Sequence, residues 1–184
     1  ANIYRYINDN LSLHGFLEFT FLKNFKFQVN AGYDVFNLSQ TEFMTPIGGD
    51  AANVNGRGTK ATQRYGALNT NQLLTYKGEF GDHELNVLVG HEYKQDNSET
   101  LYGSMSQFYL KDNPEFANAG TIDALESYTS AYKIQGFLSR VEYDYGDKYY
   151  VSASYRCDGS SNFDPSVRWG HFWSVGASWR LKEE

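Results

Sequence analysis

Apolar and polar side chains alternate along this chain with a period of two. Over residues 11–21 the odd positions read Leu11, Leu13, Gly15, Leu17, Phe19, Phe21, against Ser12, His14, Phe16, Glu18 and Thr20. Phe25, Phe27, Val29, Ala31, Tyr33 and Val35 then oppose Lys26, Gln28, Asn30, Gly32 and Asp34. Successive strand side chains point to opposite faces, so each stretch predicts a strand of roughly 11 residues with one apolar face. Leu22-Lys23-Asn24 is short enough to join the two as a tight hairpin.

The pattern recurs. Residues 67–80 predict a strand with mixed faces, and Gly81-Asp82 a turn. Leu85, Val87, Val89 and Tyr93 follow, opposed by Glu84, Asn86, Gly90, Glu92 and Lys94. Phe137, Val141, Tyr143 and Tyr145 oppose Arg140, Glu142 and Asp144, and Gly146-Asp147-Lys148 turns the chain. Tyr149, Val151, Ala153 and Tyr155 oppose Ser152, Ser154 and Arg156; Trp173, Val175, Ala177 and Trp179 oppose Ser174, Gly176, Ser178 and Arg180. These stretches predict an all-β protein, an antiparallel up-and-down meander of about seven strands.

Short turns alternate with long connections over residues 38–62, 98–132 and 159–170. Strict alternation brings every long loop out at one end of the sheet, as in transmembrane β-barrels. The strand length suits a tilted crossing of a bilayer. A soluble sandwich or lipocalin-like barrel alternates equally well. Two features favour the membrane wall. Lys26, Asp34, Glu84, Glu92, Arg140, Glu142 and Asp144 put more charge on the polar face than a small packed interior holds. Aromatics also gather near strand ends, at Phe21 and Phe25, at Tyr143, Tyr145 and Tyr149, and at Trp169, Phe172 and Trp173, as interfacial girdles require.

Composition sharpens this picture. Aromatics make up 17% of the 184 residues, too many for a disordered chain. Mean hydropathy is −0.57, which a barrel wall tolerates because it gives lipid only every second residue. A net charge of −6 argues against nucleic acid as a partner. The single cysteine excludes an intrachain disulfide and a Cys-rich zinc site. No apolar run is long enough for a transmembrane helix, and the first residues lack the basic-then-apolar pattern of a signal peptide.

The C-terminal quarter adds a motif. Arg156-Cys157-Asp158-Gly159-Ser160-Ser161-Asn162-Phe163 leads to Arg168-Trp169-Gly170 and then to Phe172-Trp173-Ser174-Val175-Gly176-Ala177-Ser178-Trp179-Arg180. This resembles the barrel region of SusC/RagA-like TonB-linked outer-membrane transporters, with the closest match over residues 136–180. The resemblance implies a barrel of about 22 strands, closed by a plug and lidded by a SusD-like surface lipoprotein. It also implies import of glycans or peptides with energy from TonB; no catalytic residues, metal or cofactor are expected. Arg156, Asp158, Gly159, Ser160, Ser161, Phe163, Arg168, Trp169 and Gly170 are then structural motif positions. Residues 1–184 read as one segment of such a barrel, about a third of it, without plug domain or signal peptide. The family would continue beyond Lys182-Glu183-Glu184. Open sheet edges call for cover, including self-association. The alternative is a soluble all-β binding or structural module without transport activity.

Other candidate chemistry is thin. His14, His83, His91 and His171 show no metal-binding spacing. Cys157 sits between Arg156 and Asp158, which suits an activated thiol, but no Cys-His pairing is visible and a small strand-end residue is the simpler reading. Asp158, Ser160, Ser161, Asp164 and His171 supply the letters of a Ser-His-Asp set without a nucleophile elbow. Asp158, Asn162 and Asp164 lack calcium-loop spacing. Gly48-Gly49 and Gly56-Arg57-Gly58-Thr59-Lys60 lack the phosphate-loop pattern, and Asn37-Leu38-Ser39 is a chance-level sequon. The binding candidates are the aromatics expected in outward loops, Phe43, Tyr102, Phe108, Tyr109 and Phe116, which serve either a ligand or partner or the loops' own packing.

Overall fold

The computed structural model describes residues 1–181. Lys182, Glu183 and Glu184, which carried the reading of the chain's end, lie outside the described residues. Seven strands follow one another: β1 (Ile3–Phe21), β2 (Phe25–Met44), β3 (Arg57–Phe80), β4 (His83–Phe108), β5 (Ala119–Tyr145), β6 (Tyr149–Ser160) and β7 (Trp169–Trp179). They form one sheet in sequence order, as the alternation predicted. Two short 3-10 turns, Ala52–Val54 and Phe116–Asn118, lie in connections.

The strands are longer than the alternation showed. β2, β3, β4 and β5 run for 20, 24, 26 and 27 residues. The connections shrink from the expected 38–62, 98–132 and 159–170 to residues 45–56, 109–118 and 161–168. Backbone N–H and C=O groups pair across strands whatever the side chains are. Where both faces are polar, as from Gln95 to Thr100 in β4, pairing continues but the period-two signal disappears. Phe43, Tyr102 and Phe108, expected in loops, therefore stand on β2 and β4.

The tight turns fall where predicted. Leu22 (φ 49°) and Lys23 (φ 63°) both take left-handed backbone, the signature of a primed hairpin turn whose twist matches its strands. Gly81 (φ 63°) does so in the second turn, and Gly146 with Asp147 (φ 60° and 54°) in the third.

The chain divides into two compact units. One comprises residues 1–12, 34–66 and 96–131; the other comprises residues 13–33, 67–95 and those from 132 onward.

The first unit holds most of the fully buried apolar side chains. Phe43 (0% exposed), Ala51 and Phe108 (1%) are buried, and the two phenyl rings meet edge to face with centroids 4.9 Å apart. Gly58 makes room for this pair: a Cβ there would stand 2.6 Å from Phe108 Cζ. Backbone and side chain of Asn55 both bond Phe108, through Phe108 N–H to Asn55 C=O (2.8 Å) and Asn55 Nδ2 to Phe108 C=O (3.0 Å). The 45–56 connection is thus pinned onto β4. Asn118, 8% exposed, ties the 109–118 connection. Its Nδ2 donates to the carbonyls of Leu110 and Asn113, and its Oδ1 accepts from Leu110 N–H at 2.9 Å.

The second unit carries the amphipathic part of the sheet. β5, β6 and β7 are antiparallel, in a register that puts Val141 opposite Ala153 and Ala153 opposite Val175. Phe137, Val141, Tyr143, Tyr145, Val151, Tyr155, Trp173, Val175 and Trp179 share one face and are all exposed. Arg140, Glu142, Ser152, Ser154, Arg156, Ser174 and Ser178 share the other.

Candidate functional site

Two aromatic rows frame the apolar face of the second unit. At the tight-turn end, Phe21 stacks on Phe25 (5.4 Å) and Phe25 meets Tyr76 (4.8 Å). His83 meets Tyr145 (4.8 Å), Tyr145 stacks on Tyr149 (6.4 Å), and Tyr149 on Trp179 (6.0 Å). Farther along the strands His91, Phe137 and Trp169 form a second row, with centroids 5.0 and 6.2 Å apart. β7 links the rows from Trp169 to Trp179. Ten residue steps cover about 33 Å of strand, and a tilt near 40° lowers that to about 25 Å, the height of a transmembrane barrel's outward apolar band. One aromatic departs from expectation. Phe172 pairs with Arg156 and so faces the polar side, not the girdle.

The polar face holds a groove of about 580 Å³, lined among others by His14, Asn30, Asn71, Glu92, Lys94 and Arg156. An amide ladder forms one side. Gln28 Nε2 donates to Asn30 Oδ1 (3.1 Å), and Asn30 Nδ2 to Asn71 Oδ1 (2.5 Å). A charged cluster forms the other. Arg156 on β6 donates through Nε to both oxygens of Asp158 (2.9 and 2.7 Å) and through a terminal nitrogen to Glu92 Oε2 on β4 (2.6 Å). To reach Glu92 the guanidinium crosses β5 at Gly136, where a Cβ would stand 3.2 Å from that nitrogen. Glycine at this position lets one arginine on β6 reach β4 across β5. Other charges of this face pair locally, Lys26 with Glu18 (3.1 Å) and Arg140 with Glu142, whose carboxylate also accepts from Tyr150 (2.9 Å).

The motif residues come together around this cluster. Asp158 lies opposite Gly136 on β5 and Gly170 on β7, and Gly159 opposite Trp169. Ser160 donates its N–H to the Arg168 carbonyl (3.2 Å) and accepts that of Phe163 (3.4 Å) at its own. Ser161 doubles the link to β5: Lys133 N–H donates to its hydroxyl (2.8 Å) and its own N–H to the Lys133 carbonyl (2.9 Å). In the 161–168 connection, the hydroxyl and the N–H of Ser166 hold the Asp164 carboxyl below the usual carboxylate range. Arg156-x-Asp-Gly-Ser-Ser-x-Phe is therefore a strand-end clasp.

The Ser-His-Asp letters are not assembled. Asp158 faces the polar side, whereas His171 lies opposite Cys157 on the apolar side and bonds the Tyr155 hydroxyl (2.7 Å). Among the described residues no group of three or more His, Cys, Asp or Glu is placed to hold a metal ion. The five candidate aromatics separate. Phe43 and Phe108 are buried against each other, Tyr102 and Phe116 are half-buried, and Tyr109 is 77% exposed. Phe116 lies against Gly103, under the Lys60 ammonium 5.8 Å from its centroid, while Lys60 pairs with Glu115 (2.5 Å). The Glu92–Arg156 bridge escaped sequence reasoning. Alternation places both on polar faces, but only register shows that they meet across β5.

A single meander with one apolar face between aromatic rows and one charged face has the fold of a segment of transmembrane barrel wall. Over 96% of its length the chain is 24% identical to TonB-dependent receptor P3 of Formosa agariphila, covering 18% of that protein. It is 23% identical to TonB-dependent receptor SusC of Bacteroides thetaiotaomicron over 91% of its length, covering 16% of that protein. The RagAB peptide transporter superposes on 96% of the chain with a TM-score of 0.88 and 23% identity, over 20% of the transporter chain. No protein-family model matches. The resemblance to SusC/RagA-like TonB-dependent transporters thus extends over nearly the whole chain, well beyond residues 136–180. The chain spans about a fifth of the length of these relatives.

Proposed function

We propose that this chain supplies wall and outward loops to a TonB-dependent transporter in the cell outer membrane, one that imports glycans or peptides under a SusD-like surface lipoprotein lid. The observation that carries this reading is the apolar face of about 25 Å between two aromatic rows, backed by a charged opposite face. A soluble module would leave that whole face in water, far beyond the exposed apolar patch a soluble monomer keeps. The charged groove then faces the barrel interior. It offers amides and paired charges to polar cargo. Tyr109, held out on a connection tied by Asn118, is the aromatic best placed to meet cargo or lid.

Trp173, 77% exposed in the middle of the apolar band, reports directly. In the protein isolated at its natural length, with W169F/W179F leaving Trp173 as this segment's reporter, emission in bilayers is expected to be quenched by lipids brominated along the acyl chain and protected from aqueous iodide. Quenching by iodide alone would refute the membrane-wall reading. Loss of uptake of an oligomeric nutrient on deletion of the gene, equalled by loss of TonB, identifies the cargo class.

A further inference from the structure

Besides the His83–Tyr143 and His171–Tyr155 pairs, the apolar face carries a hydrogen-bonded polar row that spans three strands. His91 Nδ1 donates to Gln72 Oε1 at 2.7 Å, and Gln135 Nε2 donates to His91 Nε2 at 3.0 Å. The row runs across β3, β4 and β5, with all three side chains half-buried. Polar side chains aimed into hydrocarbon are costly, and mutual bonding only partly offsets that.

Its depth accounts for it. Gln72 lies eight residues from Phe80 on β3, His91 eight from His83 on β4, and Gln135 ten from Tyr145 on β5. At about 3.3 Å per residue and a tilt near 40°, those steps place the row about 20–25 Å from the turn-end girdle. It therefore stands at the opposite rim of the apolar band, where hydrocarbon gives way to headgroups. Register agrees, since Gln135 pairs with Gly159, and Gly159 with the rim residue Trp169.

The geometry points to a subsite for a neutral, sugar-bearing lipid headgroup. This rests on the membrane-wall reading above. The internal bonds occupy the Gln72 carbonyl, both His91 nitrogens and one Gln135 N–H. The Gln72 amide hydrogens and the Gln135 carbonyl remain as donor and acceptor, a match for hydroxyls, which both give and accept. A bare phosphate only accepts, and none of the three side chains brings the fixed positive charge it seeks. Phe137 (46% exposed) and Trp169 (42%) border the row with ring faces on which a sugar can lie. Sugar edges thus meet the amides while an acyl chain lies along the apolar face below.

Native mass spectrometry tests this on the protein at its natural length, released from nanodiscs of phosphatidylcholine doped with either monogalactosyl diacylglycerol or phosphatidylglycerol. Wild type is expected to retain the galactolipid several-fold over both phospholipids. Q72L/Q135L, which puts apolar side chains on a lipid-facing surface, is expected to abolish the preference and keep phosphatidylcholine. If the double variant does not assemble, Q135L alone is the comparison, with a partial loss expected. Equal retention of all three lipids, preference for phosphatidylglycerol, or a variant indistinguishable from wild type overturns the subsite. If Trp173 is quenched by brominated lipid while galactolipid is not preferred, the subsite fails and the membrane wall stands. If Trp173 is not quenched, both fail.

Discussion

Gly159 on β6 lies directly beneath the indole of Trp169 on β7, so close that a Cβ there would stand 2.8 Å from a ring carbon. The indole occupies the space a side chain would need, and that contact holds Trp169 flat at the rim of the apolar band.

Gly159→Ala should therefore push the indole away, at a cost of about 1–2 kcal/mol typical of overpacking. Gly159→Val should cost more. In a W173F/W179F background, Trp169 emission reports the displacement as a shift relative to the glycine protein, and urea titration in lipid vesicles reports the cost. An unchanged spectrum and midpoint for both variants would show that the contact does not constrain the ring.

That contact also shows what sequence can and cannot disclose. Alternation located seven strands and the apolar faces of all but the third, because lipid or core on one side and water on the other leaves a period-two trace. It missed the ends of β2 through β5, where side chains are polar on both faces and only backbone pairing continues. The Arg156-to-Phe163 motif was visible as letters, but its work was not. Asp158 between two glycines, Arg156 reaching over Gly136 to Glu92, and Ser161 bridging to Lys133 are all matters of register. Phe43 and Phe108 illustrate the converse: isolated aromatics in polar surroundings read as loop tips, yet they find each other through a contact 65 positions apart in sequence.

Arg156 is tied to two carboxylates at once, Asp158 on its own strand and Glu92 on β4, so its replacement should be felt on both strands. The cluster is partly exposed, with side-chain exposures of 43% for Arg156, 41% for Glu92 and 30% for Asp158. Solvent screening keeps the loss in Arg156→Met to about 1 kcal/mol. Arg156→Lys should lose nearly as much, since one ammonium lacks the planar fork that spans both partners. Raising salt should narrow the gap between wild type and either variant. A gap that does not respond to salt would mean that packing over Gly136, not charge, holds the residue.

Phe108→Ala removes half of the buried phenyl pair in the first unit, and a buried Phe-to-Ala change costs about 3 kcal/mol or more. The loss should fall on the 45–56 connection that Asn55 fastens to Phe108. Limited proteolysis should then cut within residues 45–56 much faster than in wild type, while the 161–168 connection of the other unit keeps its rate. Gly58→Ala should produce the same local cleavage by displacing the Phe108 ring. Equal acceleration at both connections would indicate general unfolding.

Asp164 makes the 161–168 connection sensitive to acid. The Ser166 hydroxyl and N–H, aided by the charge of Arg168, favour its ionised form and depress its pKa in the folded protein. A depressed carboxylate stabilises the fold fully above its unfolded value, about 3.9 for aspartate, and the benefit is lost as pH falls through the folded value. The loop should stay ordered from neutral pH down to that range and loosen only below it. Amide exchange at Ser166 and Val167, whose N–H donates to the Asp164 carbonyl at 3.0 Å, reads the change once corrected for intrinsic rates. Asp164→Asn and Ser166→Ala should flatten the acid-dependent part of the profile. If exchange in wild type instead accelerates well above the ordinary aspartate range, another group governs the loop.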